Sequence, residues 1–525
     1  MVKTVSQAKT RCKDRVVVDE VWESPVDRWI LRLRRRILLA VIAAIAVIAV
    51  WLVWKFLRDR PVTYSSAEEH FKYGSIGSEV GGSLSTPVGG ILPPEWIFRV
   101  LPQIAPEKLP GGYASLGLIF EKGHSLPIGV SQRTRLGFEQ VGLNCAICHV
   151  GTYRATPSSE PVIVLGMPAH SLELQRFFDF VTQATLDPRF TPDNVVAKIQ
   201  EAGGDLGPVD RYLLRSRVIP LTRETTLNLR NRIAVLLDGN ASQWGAGRVD
   251  TFNPYKAIQF NWQLASLAHS ELIGASDFPS LWNQKPREGM HLHWDGNNDS
   301  VDERNRSASL GTGATPVTLD YAALRRVRDW IWTLPPPKYP FPVNEALAAR
   351  GEGLYRTMCA ECHADHRFRD GVIENASKVG TVVPIDKIAT DPFRLNSYTL
   401  KFASNQYSLY PESEYRFTHF RKTNGYANHP LDGIWLRGPY LHNGSVPTLL
   451  DLLEPAESRP KAFYRGDDVF DQARVGFRSD VPEDKGRKYF RYDTSLPGNG
   501  NGGHDYGTKL AQADKRAIVE YMKRF

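Results

Sequence analysis

The chain has 525 residues, a hydrophobic fraction of 42% and a formal net charge of +8; this composition allows several domains and excludes a disordered or collagen-like chain. Residues 1–60 hold 13 Lys and Arg against 6 Asp and Glu, a net of +7, which leaves about +1 for the remainder. The basicity belongs to the N-terminal tail, so no nucleic-acid partner is expected. Five cysteines in so long a chain exclude a disulfide scaffold.

The first predicted element is a transmembrane anchor at 37–54. This stretch, ILLAVIAAIAVIAVWLVW, is 18 residues long and uncharged, which is enough to cross most of a hydrocarbon core. The arginine-rich stretch 32–36 outweighs the basic residues after the span, which places residues 1–36 in the cytoplasm as a basic tail and the body outside. A cleaved signal peptide is the alternative, but the long basic lead and the lack of an A-x-A site favour an uncleaved anchor.

Three further segments follow the anchor. Residues 55–95 are punctuated by Gly and Pro and are predicted to form a tether. Residues 96–340 form the longest unit, and the prolines at 335–337 mark its end. Residues 341–525 form a second unit that opens and closes with helical patterns.

Each unit contains one C-x-x-C-H motif. The two copies are Cys145-Ala-Ile-Cys148-His149 and Cys359-Ala-Glu-Cys362-His363. Two thiols at this spacing form thioethers to the haem vinyl groups, and the adjacent His ligates the iron. Paired zinc-binding motifs are usually 15–20 residues apart, whereas these are 214 apart, and a redox dithiol needs no following His. The expected fold class is mainly α, with two cytochrome c-type haem domains, long loops and one N-terminal transmembrane helix.

Several residues are candidates for the second axial ligands of the two haem irons. His504 follows the glycine-rich stretch 497–503, from which an imidazole can reach across a haem face. His442 lies among aromatic and basic residues, and its alternative role is structural, near a propionate. His170 is a distal ligand, a distal acid or base, or a residue near the start of the next helix. The remaining candidates are His291, His293, Met167 and Met290.

Several stretches resemble a known superfamily. The segment GIWLRGPYLHNGSVPTL at 433–449 resembles the signature of the bacterial di-haem cytochrome c peroxidases. Stretches that resemble the branch with the di-haem rubber oxygenases are VGLNCAICHVGTYR (141–154), GRVDTFNPYK (247–256), DFPSLWNQKPREGMHLHWDGNN (277–298) and the Gly-His-x-x-Gly-Thr stretch at 503–508. The resemblance covers about residues 90–525. It implies that His149 and His363 are proximal ligands, that His504 is distal at the C-terminal haem, and that the N-terminal haem is reactive.

The chain departs from the rubber-cleaving enzymes in its anchor and in His170, which puts rubber cleavage in doubt. We therefore predict a membrane-anchored oxidoreductase of the peroxidase or oxygenase type that carries two covalent haems c. The expected location is the bacterial inner membrane, with the haem domains in the periplasm. The expected partners are a redox protein or a membrane electron-transfer chain, with peroxide or dioxygen as oxidant. Residues predicted near the chemistry are His170, Trp282, Trp294 and His442.

Three alternatives accompany this prediction. Trp282 and Trp294 are suited to relaying electrons between the rings, but core packing explains them as well. The resemblance allows a calcium ion between the domains, for which DGNND at 295–299 offers oxygens. The rival function is a non-catalytic electron carrier docked to a membrane complex, with His170 as an extra iron ligand; a haem-based sensor is the third.

Overall fold

The computed structural model describes residues 25–57, 59–80, 90–237, 243–370, 372, 376–410 and 414–525. It divides into two units, Met1–Arg58 and Asp59–Phe525. Helices make up about 44% and strands 12%, against roughly one third and one quarter in average globular domains. The predicted mainly α character is therefore confirmed.

The first unit contains a single long helix, α1 (Pro25–Leu57). Its 33 residues span roughly 50 Å at 1.5 Å per residue, more than the ~30 Å of a hydrocarbon core. Residues Arg28–Leu57 are long and apolar enough to cross a membrane by length and composition. The helix begins before the predicted span, and residues 1–24 of the predicted tail lie outside the described residues.

The second unit contains the remaining helices. They are α2 (Ala67–Tyr73), α3 (Glu95–Ile104), α4 (Ala146–His149), α5 (Leu174–Leu186), α6 (Pro192–Glu201), α7 (Pro208–Leu213), α8 (Ile219–Leu237), α9 (Asn253–Phe260), α10 (Val301–Gly311), α11 (Tyr321–Ile331), α12 (Glu345–Met358), α13 (Ala360–His363), α14 (Ile385–Ile388), α15 (Phe393–Ser397), α16 (Leu400–Tyr407), α17 (Leu449–Leu452) and α18 (Gln512–Met522).

The strands are short and pair antiparallel. They are β1 (Arg60–Pro61), β2 (Val130–Arg135), β3 (Phe138–Leu143), β4 (Val150–Tyr153), β5 (Val162–Leu165), β6 (Arg248–Asp250), β7 (Ala275–Asp277), β8 (Val382–Pro384), β9 (Gly425–Ala427), β10 (Ala462–Arg465), β11 (Phe470–Asp471), β12 (Gly476–Phe477), β13 (Glu483–Asp484), β14 (Arg487–Lys488) and β15 (Phe490–Asp493). The order β1-β2-β3 forms one sheet, and the other strands form two-stranded ribbons. They connect helices and loops rather than building a sheet core.

The segment 59–80, predicted as part of a tether, is packed into the second unit. β1 pairs with β2, with Arg60 opposite Thr134, and in α2 the side chains of Phe71 and Tyr73 are buried. Glycine and proline punctuation suggested an open linker, but the apolar residues of α2 bury themselves in the core. The chain therefore enters its folded body almost directly after α1.

The predicted boundary at 340/341 does not separate two cores. One hydrophobic cluster joins Met167 and Trp282, from the first predicted domain, to Tyr355 and Trp435, from the second. Residues Asp59–Phe525 form one compact unit. The prolines after α11 end a helix, but the chain beyond them folds back onto the preceding part.

The C-terminal helix packs on the helix that precedes the second motif. A methyl group at Gly351 of α12 would lie 1.9 Å from the carbonyl oxygen of Ala517 in α18. The absent side chain therefore lets the two backbones touch. The ring centres of Tyr355 and Phe525 lie 4.9 Å apart nearby, which closes the core under the second motif.

Candidate haem sites

The first C-x-x-C-H motif opens onto a cavity that Cys145, Cys148 and His149 all line. His149 Nδ1 lies 2.8 Å from the carbonyl oxygen of Pro279. Burial lowers the pKa of His149 to about 4, so the ring is neutral at pH 7. A neutral ring that donates from Nδ1 keeps its lone pair on Nε2, the state of a metal-ligating histidine.

Local contacts hold α4 in place. Asn144 Oδ1 accepts a hydrogen bond from the Ala146 amide (3.0 Å), and its Nδ2 donates to the Gly74 carbonyl (3.0 Å). Gly129 has φ +90°, and a methyl group there would lie 2.3 Å from the backbone of Ile147. The loop before the motif is therefore pressed against two other chain segments, which fixes the direction of the short helix.

The second motif lines a separate cavity in the same way. α12 leads into α13, and His363 Nδ1 lies 2.7 Å from the carbonyl oxygen of His429. His504 also lines this cavity. It sits at φ +55° after the glycine-rich stretch, with its ring centre 6.2 Å from that of His363 and the planes at 41°.

The spacing between His363 and His504 fits a metal between them. Imidazole nitrogens bind metals at about 2 Å, so two rings on opposite sides of one ion have centres roughly 6 Å apart. The Nδ1 atom of His504 is buried and has no hydrogen-bond partner among the described residues. Burial lowers the pKa of His504 to about 3, so this ring is also neutral at pH 7.

Both cavities have the chemistry that haem c requires. Their volumes are about 280 Å³ and 190 Å³, and each is lined by the two cysteines and the histidine of one motif. Burial raises the pKa of Cys145 to about 11 and of Cys359 to about 12, so both are neutral thiols. In the described residues no three His, Cys, Asp or Glu side chains are grouped as a metal site. The residues present fit haem c and do not form a zinc-thiolate cluster.

The two cavities share a wall made of Trp294, His429 and Arg437. Trp294 Nε1 donates to the carbonyl oxygen of Asp277 (2.8 Å). His429 Nε2 lies 2.7 Å from the carbonyl oxygen of His293, and burial lowers the pKa of His429 to about 3. The wall is therefore rigid, because each ring is fixed by a backbone group.

Two of the predicted residues lie away from both cavities. His170 is buried and stacks on Phe477, with ring centres 3.8 Å apart and planes at 7°. Neither of its ring nitrogens has a hydrogen-bond partner among the described residues. Trp282 is fully buried and donates to the carbonyl oxygen of Leu165 (2.9 Å). Of the two tryptophans, Trp294 therefore has the position of a relay, and Trp282 has the position of a core residue.

His442 lines the second cavity, and Tyr426 holds its ring. Its ring stacks on Tyr426 at 4.0 Å, and its Nε2 lies 3.0 Å from the Tyr426 hydroxyl. That hydroxyl donates to the Asp391 carbonyl (2.6 Å), so it accepts from His442. The contacts are those of the structural alternative for this histidine.

The other candidate ligands have different surroundings. Met167 is fully buried in the shared core and lines neither cavity, and Met290 packs beside Gly380. His291 Nδ1 lies 2.8 Å from the Gly296 carbonyl. His293 lines the first cavity, and burial lowers its pKa to about 4. It is the predicted loop histidine that reaches the first cavity.

The oxygens considered for calcium are bonded to cations. Asp295 forms an ion pair with Arg394 (3.2 Å), and both side chains are nearly fully buried. Asp299 is bonded to His419 (2.5 Å) and Arg421. These carboxylates are therefore already neutralised by protein groups, and a calcium site stays a prediction.

One known family matches a short segment of the chain. Residues 425–464 match the family described as RoxA-like, cytochrome c-like. This match supports a c-type cytochrome that binds haem c, and it supports the predicted resemblance to the rubber-oxygenase-like branch. The matched segment includes His429, Arg437 and His442, so it covers part of the shared wall.

Two proteins of Sinorhizobium fredii (strain NBRC 101917 / NGR234) are similar to the chain. Uncharacterized protein y4iM is 34% identical over 280 residues, which cover 47% of this chain and 64% of that protein. Uncharacterized protein y4iJ is 27% identical over 512 residues, which cover 79% of this chain and 82% of that protein. The chain thus spans under two thirds of the first relative and most of the second.

Sequence reasoning gave no role to His429, Arg437 or Arg459. His429 contributes a carbonyl group, which any residue has, so its identity carries no signal for that role. Arg437 lies inside segment 433–449, which resembles the di-haem peroxidase signature, and this position could have indicated a role near a haem. Arg459 is fully buried and holds the loop before His504 from 45 residues away in sequence, which only the folded chain reveals.

Proposed function

We propose that the protein is a di-haem c-type cytochrome and an oxidoreductase of the peroxidase or oxygenase type. The supporting observation is that His149 and His363 are both fixed through Nδ1 to a backbone carbonyl and line two cavities that share one wall. Haem c, when bound, supplies a one-electron redox centre that can also bind peroxide or dioxygen at an open axial position.

The two sites have different roles in this proposal. At the second site His504 faces His363, so these two imidazoles would hold the haem iron, and the haem would store or pass electrons. In the described part of the chain, no imidazole faces His149 with comparable geometry. The first site is therefore the reactive one. The position of His170, away from both cavities, argues against the rival carrier in which it is an extra ligand.

The wall of the first cavity supplies groups for handling an oxidant. His293 is neutral at pH 7 because burial lowers its pKa to about 4, so it can accept a proton from a bound oxidant. Arg304 also lines this cavity and adds positive charge to its wall. Apolar side chains of α8, Leu229 and Ile233 among them, line the same cavity.

Trp294 is the proposed relay between the sites. Its indole lies in both cavity walls, and its edge-to-face contact with His429 leads to the carbonyl that holds His363. On the other side, Trp294 donates to the carbonyl of Asp277 at the end of β7. Two residues further along, the carbonyl of Pro279 accepts from His149. Short covalent and hydrogen-bonded steps therefore join the two proximal histidines.

The location is proposed from α1 and the charge of its flanks. The helix is long and apolar enough to serve as an anchor, and the arginines at 32–36 favour a cytoplasmic N-terminus. The haem-bearing unit then faces the periplasm, where haem c is attached. Electrons come from a redox protein or a membrane electron-transfer chain.

Two measurements on the purified, oxidised full-length protein test this function. Haem content by alkaline pyridine spectrum, with mass spectrometry of the denatured chain, should give two covalent haems. Electron paramagnetic resonance should show one high-spin and one low-spin ferric centre. Two purely low-spin centres that stay so after partial reduction would instead indicate the electron carrier. One haem or none would refute the di-haem proposal.

A further inference from the structure

Four arginines line the two cavities, two of them buried (Arg287 and Arg394) and two part-buried (Arg304 and Arg437). Arg287 is ion-paired with Asp432, and Arg394 is ion-paired with Asp295 at 3.2 Å. The other two, Arg304 and Arg437, have no ion pair among the described residues.

The bonds of the second pair are made to neutral groups. Arg304 donates to the side-chain oxygens of Gln284 (2.6 Å) and Asn305 (2.8 Å). Arg437 donates to the Pro430 carbonyl (2.8 Å). Burial lowers the pKa of each guanidinium to about 10, so both are still cations at pH 7.

A part-buried cation that contacts no carboxylate is incompletely compensated, because the protein replaces part of its hydration without pairing its charge. The cavities therefore fit an occupant that brings negative charge to these guanidinium groups. Haem c carries two propionate carboxylates, and arginine binds carboxylates through a planar pair of N–H donors. This step rests on the proposed function, because it takes the occupants to be haems.

We propose that Arg304 binds a propionate of the first haem and that Arg437, in the wall shared by both cavities, binds propionate at both. Arg304 lines the first cavity alone, whereas Arg437 lines both. The charge of Arg437 is therefore felt at both irons and the charge of Arg304 at one. Arg437 couples the two reduction potentials electrostatically.

Redox titration of the full-length protein tests this assignment, with the two centres distinguished by their spin states. Arg437→Gln removes a positive charge that favours the reduced state, so both potentials should fall. We expect the ratio of reduced to oxidised haem at fixed potential to drop roughly tenfold at each site, or about 59 mV for a one-electron couple. Arg304→Gln should lower the potential of the first centre alone.

The matched control is Arg478→Gln. This substitution also removes a cation, but Arg478 pairs with Asp467 and Asp484 and lines neither cavity. Both reduction potentials should therefore stay unchanged. If Arg437→Gln does not accumulate, Arg437→Lys keeps the charge and loses the planar fork, and both potentials should move together by a smaller amount.

The outcomes separate the inference from the function beneath it. The shared role of Arg437 is overturned if the protein carries two covalent haems and Arg437→Gln changes neither reduction potential, or only one of them. A response to Arg478→Gln as large as that to Arg437→Gln also overturns it, because the effect is then one of overall charge. Fewer than two covalent haems in the unaltered protein overturn the proposed function itself.

Discussion

The indole of Trp294 meets the imidazole of His429 edge to face, with ring centres 6.0 Å apart and planes at 83°. Each ring is also fixed by a hydrogen bond to a backbone carbonyl. The carbonyl of the same His429 accepts from His363. One residue thus touches the candidate relay with its ring and orients a proximal ligand with its backbone.

The first prediction concerns the relay. Trp294→Leu should slow electron transfer between the two haems by several-fold, because the described shared wall then keeps only the ring of His429. The rate is measured by rapid mixing with a one-electron reductant. Trp294→Phe keeps a ring and should be intermediate. Trp282→Phe is the control, since Trp282 is buried and lines neither cavity. Equal rates in all variants would remove Trp294 from the path.

The second prediction concerns the axial ligand of the second site. His504→Ala should convert the low-spin centre to a high-spin one, because the imidazole facing His363 is lost. His170→Ala should leave the spectrum unchanged, since that ring stacks on Phe477 outside both cavities. The spin states are measured by electron paramagnetic resonance. A low-spin signal that survives in His504→Ala would show that another side chain is the ligand.

How much of the candidate site could be predicted from the sequence depends on how far apart in the chain the interacting residues lie. The C-x-x-C-H motifs are local, so their residues could be found directly. The glycine-rich stretch 497–503 made His504 a candidate, and the resemblance assigned it to the C-terminal haem. No local pattern shows that this loop returns to His363 from 141 residues away. The orphaned charge of Arg437 is a tertiary property, and no spacing predicts it.

The organisation of the domains was less predictable. In the segment taken for a tether, Ser66 accepts a hydrogen bond from the amide of Glu69 (3.0 Å). A Ser followed three residues later by Glu is a helix-start signal, and it was present in the sequence. The shared core of Met167, Trp282 and Trp435 gave no such signal, because hydrophobic residues do not reveal which partner segment they meet.

The third prediction concerns the support of the His504 loop. The buried guanidinium of Arg459 donates to the carbonyls of Glu454 (3.0 Å), Leu452 (3.3 Å), Asn501 (2.5 Å) and Gly503 (2.9 Å). Arg459→Lys loses most of these bonds and should destabilise the fold by about 2–4 kcal/mol, at ~1–3 kcal/mol for each buried group left unpaired.

The same variant should also raise the high-spin fraction at the second site, since the loop that carries His504 is loosened. Arg154→Lys is the matched control. It breaks a network with Asp467, Asp468 and Asp484 that lines neither cavity, so it should lower stability without changing the spin state. A pure loss of stability in Arg459→Lys would assign it a structural role only.

The last prediction compares two glycines of α12. Gly351→Ala places a methyl group 1.9 Å from the Ala517 carbonyl oxygen, so α12 and α18 must separate, at a cost of about 1–3 kcal/mol or more. Gly353→Ala adds the same methyl group where nothing lies within 4 Å, and it should be neutral or stabilising by up to ~1 kcal/mol because alanine favours the helix. Thermal unfolding of the full-length protein measures both. Equal changes in stability in the two variants would contradict the close contact, since helix propensity alone treats the two positions alike.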